Sequence, residues 1–306
     1  MVGLPDIYAA RVRLAKYLHR TPVYTSKMLD ARFGRALFFK AEPLQKTGSF
    51  KARGALNKAL LLEAPKGLVA ASSGNHAQGV AFAAKLLGIP AAIVVPEETV
   101  AVKKAAIQAY SAELIDRGVT VENREAIARR LAAERGWSFI HPFDDWDVIA
   151  GQGTLGLELM QQVAGPEAVL VPVGGGGLIA GVATAVKALS SATRVYGVEP
   201  AAAADAKMSL EAGRIVHLEA PPETVADGVR TLAVGERPFE VMKKRVDGIL
   251  AVSEEAILEA QALILSRLKL VAEPTGALPL AAVLEHGAAL PERLALVVSG
   301  GNWLPV

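Results

Sequence analysis

The segment TGSFKARG, Thr47–Gly54, places Lys51 where a helix should begin, because Gly48 and Ser49 read as a turn and a cap. The positive end of a helix repels an ammonium, so the position disfavours the charged amine and lowers its pKa. A neutral amine is what a lysine needs in order to attack a carbonyl. Taken alone, Lys51 reads as an ordinary solvated lysine, but two further segments change its company. ASSGNHAQG, Ala71–Gly79, follows a short apolar run and turns through small residues into a helix. Free N–H groups at such a start suit a carboxylate or a phosphate, and Asn75 adds an amide donor. Its plain reading is a well-capped helix, with His76 as packing. VPVGGGGLIAGVA, Val171–Ala183, sets four glycines between an apolar strand and a helix. Four in a row have no packing reason visible in the sequence, whereas they let backbone amides close around an anion, most often phosphate.

Alternating strands and helices must position these segments. An amphipathic helix is expected over Pro5–Leu18, then a strand at Ala36–Lys40 and a helix at Ser49–Leu61. Leu68–Ala71 and Ala91–Val95 are apolar runs bounded by Gly or Pro and read as strands, with a helix over Asn75–Leu87 between them. Helical patterns at Val100–Ala109 and Val119–Glu134 flank a strand at Glu113–Asp116. Further strands are expected at Val169–Val173, Arg194–Val198 and Leu294–Val298, with a helix running from the glycines through Leu189. Such alternation implies parallel sheets covered on both faces. Gly213–Gly235 is the longest irregular stretch.

Composition removes several classes of chemistry. With no cysteine there are no disulfides, thiolate metal sites or cysteine nucleophile. The formal charge of +2 is spread without a basic block, so nucleic acid is not an expected partner. No apolar run reaches the roughly 18 residues of a membrane span, and the first residues lack the pattern of a secretory signal. A cytoplasmic protein is expected.

One rival reading starts from the glycines. Glu199 ends a strand about 20 residues after Gly174–Gly177, as in a dinucleotide-binding unit, which would suggest a nicotinamide-dependent dehydrogenase. That reading leaves the first two segments without a role, and Ala180 stands at the third glycine position of GxGxxG, where the looser form allows it.

Read in order, the motifs LQKTGSFKARGA, SSGNHAQG, HPFDDWDVIAGQGT, PVGGGGLIAG, GVEP, PPETVADGV, EPTGA and SGGN resemble the threonine/serine dehydratase and serine racemase family. These are pyridoxal-phosphate (PLP) enzymes of the tryptophan synthase β-like fold. The likeness runs from about Thr21 to the C-terminus. It implies a two-lobed, parallel-sheet, three-layer α/β fold. A large lobe is expected over residues 1–42 and 144–306, and a small one over 43–143 carrying Lys51 and the SSGNH loop. Because the chain stops at Val306, no C-terminal regulatory domain sensing isoleucine is expected. By analogy a homodimer or homotetramer is expected.

Carried over by position, the resemblance implies that Lys51 bears PLP and Phe50 packs near its ring. Asn75 would bond the ring hydroxyl oxygen. Gly174, Gly175, Gly176, Gly177 and the Leu178 amide would hold the phosphate, and Ser299 would face the pyridine nitrogen. Ser72, Ser73, Gly74, Asn75 and His76 would hold the substrate carboxylate. Glu199, the Ala203 carbonyl and Asp205 match a site for a divalent cation, Mg or Ca, in some relatives; the alternative is structural use of Glu199. The family often has asparagine after the His-Pro pair, where this chain has Phe143, so one polar contact near the cofactor is missing. The implied reaction is α,β-elimination from a small hydroxy amino acid, giving 2-oxobutanoate and ammonia from threonine. A hydroxyl at Ser299 cannot hold the ring nitrogen protonated as an aspartate would, which favours elimination over transamination. Ser73 stands where serine racemases carry an acid/base residue, so racemase action is the nearest alternative, with 3-hydroxyaspartate as another substrate.

Overall fold

Apolar runs that alternate between two faces build the two sheets of this protein. The computed structural model describes residues 1–303. Its strands are β1 Val23–Tyr24, β2 Ala36–Ala41, β3 Leu68–Ala71, β4 Ala91–Val94, β5 Glu113–Ile115, β6 Ser138–Phe139, β7 Ala168–Pro172, β8 Arg194–Pro200, β9 Gly248–Val252 and β10 Arg293–Val298. Its α-helices are α1 Leu4–Leu14, α2 Lys27–Phe33, α3 Lys51–Leu61, α4 Asn75–Leu87, α5 Ala101–Gln108, α6 Arg124–Arg135, α7 Trp146–Gln162, α8 Gly177–Leu189, α9 Asp205–Ala212, α10 Glu236–Arg245, α11 Glu254–Leu263 and α12 Pro274–His286.

The larger sheet has the order β1-β2-β10-β7-β8-β9, parallel except for the short edge strand β1. Along β10, Leu294, Leu296 and Val298 face one core with α11 and α12, while Ala295 and Val297 face the other with α7 and α8. The smaller, all-parallel sheet has the order β5-β4-β3-β6. Leu68 and Ala70 of β3 pack toward α3 and α4, and Val69 and Ala71 toward α6. Both sheets are therefore the middle layer of three, as parallel sheets require.

Small residues let helices between the two sheets cross closely. A Cβ on Gly151 of α7 would overlap the backbone of Arg53 and Gly54 on α3, and one on Gly181 of α8 would overlap Gly153 of α7. A Cβ on Gly79 of α4 would press on the backbone of Lys51 at 3.1 Å. The start of α3 is thus held against α4 and α7 by backbone approach.

Three expected boundaries shift. The first helix ends at Leu14, where Tyr17 and Leu18 amides both bond the Leu14 carbonyl and close a turn. α6 begins at Arg124, because Thr120 and Asn123 exchange side-chain-to-amide bonds and hold the preceding residues as a turn. Ser49 is not a helix cap: Phe50 holds the N-cap position without a side-chain bond, and Ser49 bridges to Gly300 instead.

Candidate active site

A cleft of about 210 Å³ opens among the starts of α3, α4 and α8. Its walls include Phe50, Lys51, Ser72, Ser73, Gly74, Asn75, His76 and Gly174 through Leu178. Most of the residues singled out from sequence are thus gathered in one place. Ser299 is not on that wall. It lies behind it just past β10, 1 % exposed, with its carbonyl accepting the Phe50 amide at 3.0 Å and its hydroxyl without a partner among the described residues.

Lys51 is the first residue of α3. Its Nζ donates to the Pro142 carbonyl at 2.9 Å and lies 5.2 Å from the centre of the Phe50 ring. Burial lowers its pKa to about 8, with the Glu273 carboxyl pulling the other way. At neutral pH a usable fraction of the amine is therefore unprotonated.

The amides at the start of α4 and α8 have no carbonyl four residues back inside their helices. In the glycine turn Gly176 takes φ +84°, a conformation that favours glycine, and none of the Gly174–Gly176 amides donates to a backbone carbonyl among the described residues. The expectation that these glycines lack a packing reason is corrected by their surroundings. A Cβ on Gly174 would press on Val229, and one on Gly175 or Gly177 would overlap Phe143. The Phe143 ring lies on the loop and meets His141 edge-on at 4.7 Å. Two demands, open amides and close packing, select the same residue type.

His76 is a structural group. Its side chain is buried, Nε2 pairs with the Ile140 carbonyl at 2.8 Å, and burial together with Lys51 pushes its pKa to about 3. It stays neutral and contributes to the cleft through its backbone. Ser72 Oγ accepts the Gly74 amide at 3.3 Å and shapes the turn, while Ser73 makes no side-chain bond among the described residues.

Lys103, Arg124, Asp227 and Glu273 also line the cleft, and none of them has a role assigned from sequence. Lys103 pairs with Asp227. Arg124, the first residue of α6, is half-buried, and its side chain forms no ion pair or hydrogen bond among the described residues. Burial lowers its pKa, and Glu125 and Glu122 partly restore it. From sequence, EPTGA carries Glu273 and PPETVADGV carries Asp227, whereas no quoted motif carries Lys103 or Arg124, which come from α5 and the start of α6.

Glu199, Ala203 and Asp205 lie outside the cleft. Glu199 accepts the Ala206 and Lys207 amides at 3.1 and 3.0 Å and so caps α9. Neither side-chain oxygen of the buried Asp205 has a hydrogen-bond partner among the described residues, and burial raises its pKa to about 7. Among the described residues no three His, Cys, Asp or Glu side chains cluster tightly enough to bind an ion by themselves. No described helix is long and apolar enough to cross a membrane.

Residues 14–300 match the family model described as "Pyridoxal-phosphate dependent enzyme". The chain is 43% identical over 301 residues to the L-threo-3-hydroxyaspartate ammonia-lyase of Saccharomyces cerevisiae, covering 97% of this chain and 92% of that one. It is 44% identical over 311 residues to the serine racemase of Homo sapiens, covering 98% and 91%. Among solved structures, a threonine deaminase from T.th. superposes with a TM-score of 0.98 at 64% identity, covering all of both chains. Maize serine racemase superposes with a TM-score of 0.95 at 40% identity, covering 99% of this chain and 94% of that one.

Proposed function

The chain belongs to the pyridoxal-phosphate-dependent enzymes, and from that premise we propose that it is an ammonia-lyase acting on threonine and serine. Membership overturns the nicotinamide reading, and Glu199 fails its part in that reading by capping α9 instead. The single observation that carries the proposal is Lys51: a desolvated amine with a pKa of about 8, in a cleft onto which two helix starts open. The site fits the cofactor. It offers a neutralisable amine and unbonded amides at the glycine turn for a phosphate, and behind its wall lies the Ser299 hydroxyl, without a partner among the described residues.

PLP, when bound, supplies a sink for electrons left behind when a bond at the substrate α-carbon breaks. The chain's residues choose the bond. The first-turn amides of α4, from Asn75 onward, bind the substrate carboxylate, with Ser72 and Ser73 shaping the approach. Lys51 Nζ takes the α-proton as general base, since an amine with a pKa near working pH exchanges protons readily. The same Nζ then gives a proton to the departing β-oxygen, so that water leaves; the enamine product, once released, tautomerises to an imine, and a solvent water hydrolyses it to the 2-oxo acid and ammonia. Phe143 and Phe50 keep the walls beside Lys51 and the glycine turn apolar and exclude water. The substrate assignment is supported by full-length similarity to a threonine deaminase at 64% identity. Asp205, with Glu199 and the Ala203 carbonyl, would offer oxygen ligands to a divalent cation, both Asp205 oxygens lacking hydrogen-bond partners among the described residues and waters completing the shell.

Borohydride treatment of the PLP-loaded protein followed by peptide mapping tests the site: the reduced adduct belongs on Lys51, and an adduct elsewhere refutes it. Oxobutanoate release from L-threonine tests the activity. For the racemase alternative, Ser73→Ala must abolish conversion of L-serine to D-serine while elimination persists.

A specific observation favours a second reading, L-threo-3-hydroxyaspartate as substrate. Arg124 lines the cleft with no side-chain partner among the described residues, and an uncommitted guanidinium suits a second carboxylate. The Saccharomyces cerevisiae relative carries that activity in its name. Comparing kcat/KM for L-threonine and L-threo-3-hydroxyaspartate decides between the two.

A further inference from the structure

The Glu273 carboxyl sits in the cleft with no part in the chemistry above. It occupies the N-cap position of α12, yet makes no side-chain cap bond to that helix. Instead it turns inward, where Oε1 accepts Asn75 Nδ2 at 2.7 Å and the residue is 4 % exposed. A carboxylate at a helix start ordinarily gains from the free amides and the dipole. Here that gain is forgone for a buried place in the cleft. The backbone accommodates it: a Cβ on Gly300 would come within 2.5 Å of Oε1.

Counting donors fixes how the neighbouring amides face. Asn302 Nδ2 donates to the Thr47 carbonyl at 2.8 Å, and a carbonyl can only accept, so the NH₂ end of Asn302 must face it. The same Nδ2 donates to Asn75 Oδ1 at 2.7 Å. The NH₂ end of Asn75 is thereby turned to Glu273. An amide NH₂ carries two N–H bonds. Glu273 takes one, and the other has no protein acceptor among the described residues, on a residue that lines the cleft.

We propose that Glu273 is a positioning residue for Asn75: by accepting one amide N–H, it holds the other ready for an oxygen of the bound cofactor. The inference rests on the reading of the cleft as the PLP site. Lys51 of α3, Lys103 of α5 and Asp227 of the loop before α10 surround this carboxyl. Burial raises its pKa to about 7, with Asp227 adding to the rise and Asn75 opposing it. A protonated carboxyl still offers an acceptor oxygen, so the hold on Asn75 persists in either charge state.

The test is a double-mutant cycle on PLP affinity, titrated by absorbance into cofactor-free protein. Glu273→Leu should weaken binding about 10- to 100-fold in the native background and less than about twofold in an Asn75→Ala background. Glu273→Gln keeps an acceptor, so its affinity should stay within about threefold of native and its visible band should not move. Equal weakening by Glu273→Leu in both backgrounds overturns the inference. So does a glutamine variant that loses as much as leucine. Should the leucine variant fail to fold, the glutamine variant decides alone, by affinity and band position. A native chain that takes up no PLP on Lys51 sinks the reading of the site and this inference with it; native uptake with an additive cycle sinks only the role of Glu273.

Discussion

Two residues apart on α3, Lys51 and Arg53 enter opposite environments. Arg53 is 2 % exposed and fully engaged, with Nε and Nη2 donating to Glu42 at 2.8 Å, Nη1 and Nη2 to Glu158 at 2.8 and 2.9 Å, and Nη1 to Thr154 at 3.1 Å. Lys40 completes the group, donating to Glu158, Gln162 and the Thr21 carbonyl at 2.7, 2.9 and 2.8 Å. Burial alone would lower the Arg53 pKa, but Glu42 and Glu158 more than offset it and raise it. On the cleft side, by contrast, the glycine-turn amides, the Arg124 side chain and the Ser299 hydroxyl behind the wall have no partners among the described residues. Buried polar groups normally find partners, so the closed region is what a scaffold needs, and the open groups mark where a ligand completes the structure. The same helix is fixed by one end of this contrast and reacts at the other.

The comparison predicts opposite consequences for neighbouring substitutions. Lys51→Ala should cut ammonia release by roughly a thousandfold or more, since it removes both the cofactor link and the base. Its thermal stability without cofactor should change little, because Lys51 makes one hydrogen bond and is relieved of a desolvated charge. Arg53→Met should do the reverse first: it strands two buried carboxylates and should lower unfolding free energy by about 3–5 kcal/mol, measured by denaturant titration. An Arg53→Met protein as stable as the native one would break the contrast.

A smaller effect concerns Arg124. Arg124→Leu should shift the preference between L-threo-3-hydroxyaspartate and L-threonine by about tenfold or more toward threonine, read as a ratio of kcat/KM values. No shift removes Arg124 from substrate recognition. The amine itself gives a pH test. Lys51 loses its proton as pH rises through about 8, and only the neutral amine attacks an aldehyde. The rate of PLP uptake by cofactor-free protein should therefore climb between about pH 7 and 9 and then level. A midpoint near that of a free lysine would show that the amine is not desolvated.

Much of the fold was legible because local pattern and tertiary demand agree. The bounds of β3 and α4 are those read from Leu68–Ala71 and Asn75–Leu87, where Gly and Pro punctuate strongly apolar runs. β9, Gly248–Val252, escaped notice although Asp247 and Gly248 punctuate its start, since it is a short run, and its place at the sheet edge is set by pairing with β8. The cleft was legible wherever one segment carries a whole function, as with SSGNH and the four glycines. Arg124, Lys103, Asp227 and Glu273 were not, because their meaning is a meeting of α6, α5, a loop and the start of α12. Ser49 misled for a related reason: its type suits a cap, but pairing with Gly300 claims its backbone. The buried charges were invisible too, since Lys40, Glu42, Arg53 and Glu158 become partners only when α3, α7 and β2 pack.

The finest version of the contrast is between two buried hydroxyls. Thr21 Oγ1 donates to Glu42 Oε1 at 2.5 Å inside the closed network, whereas Ser299 Oγ has no partner among the described residues. Removing a hydroxyl whose acceptor is a buried carboxylate leaves that carboxylate short of a donor, so Thr21→Val should cost about 1–3 kcal/mol. Removing one that has no partner leaves nothing behind, so Ser299→Ala in cofactor-free protein should lie within about 1 kcal/mol of native and on the stabilising side if anywhere. The sign should change on loading. If Ser299 supplies a hydrogen bond to PLP, the stability gained on adding saturating cofactor should be smaller for Ser299→Ala than for the native chain, and unchanged for Thr21→Val. Equal gains in all three proteins would return Ser299 to the scaffold and leave the ring nitrogen to some other group.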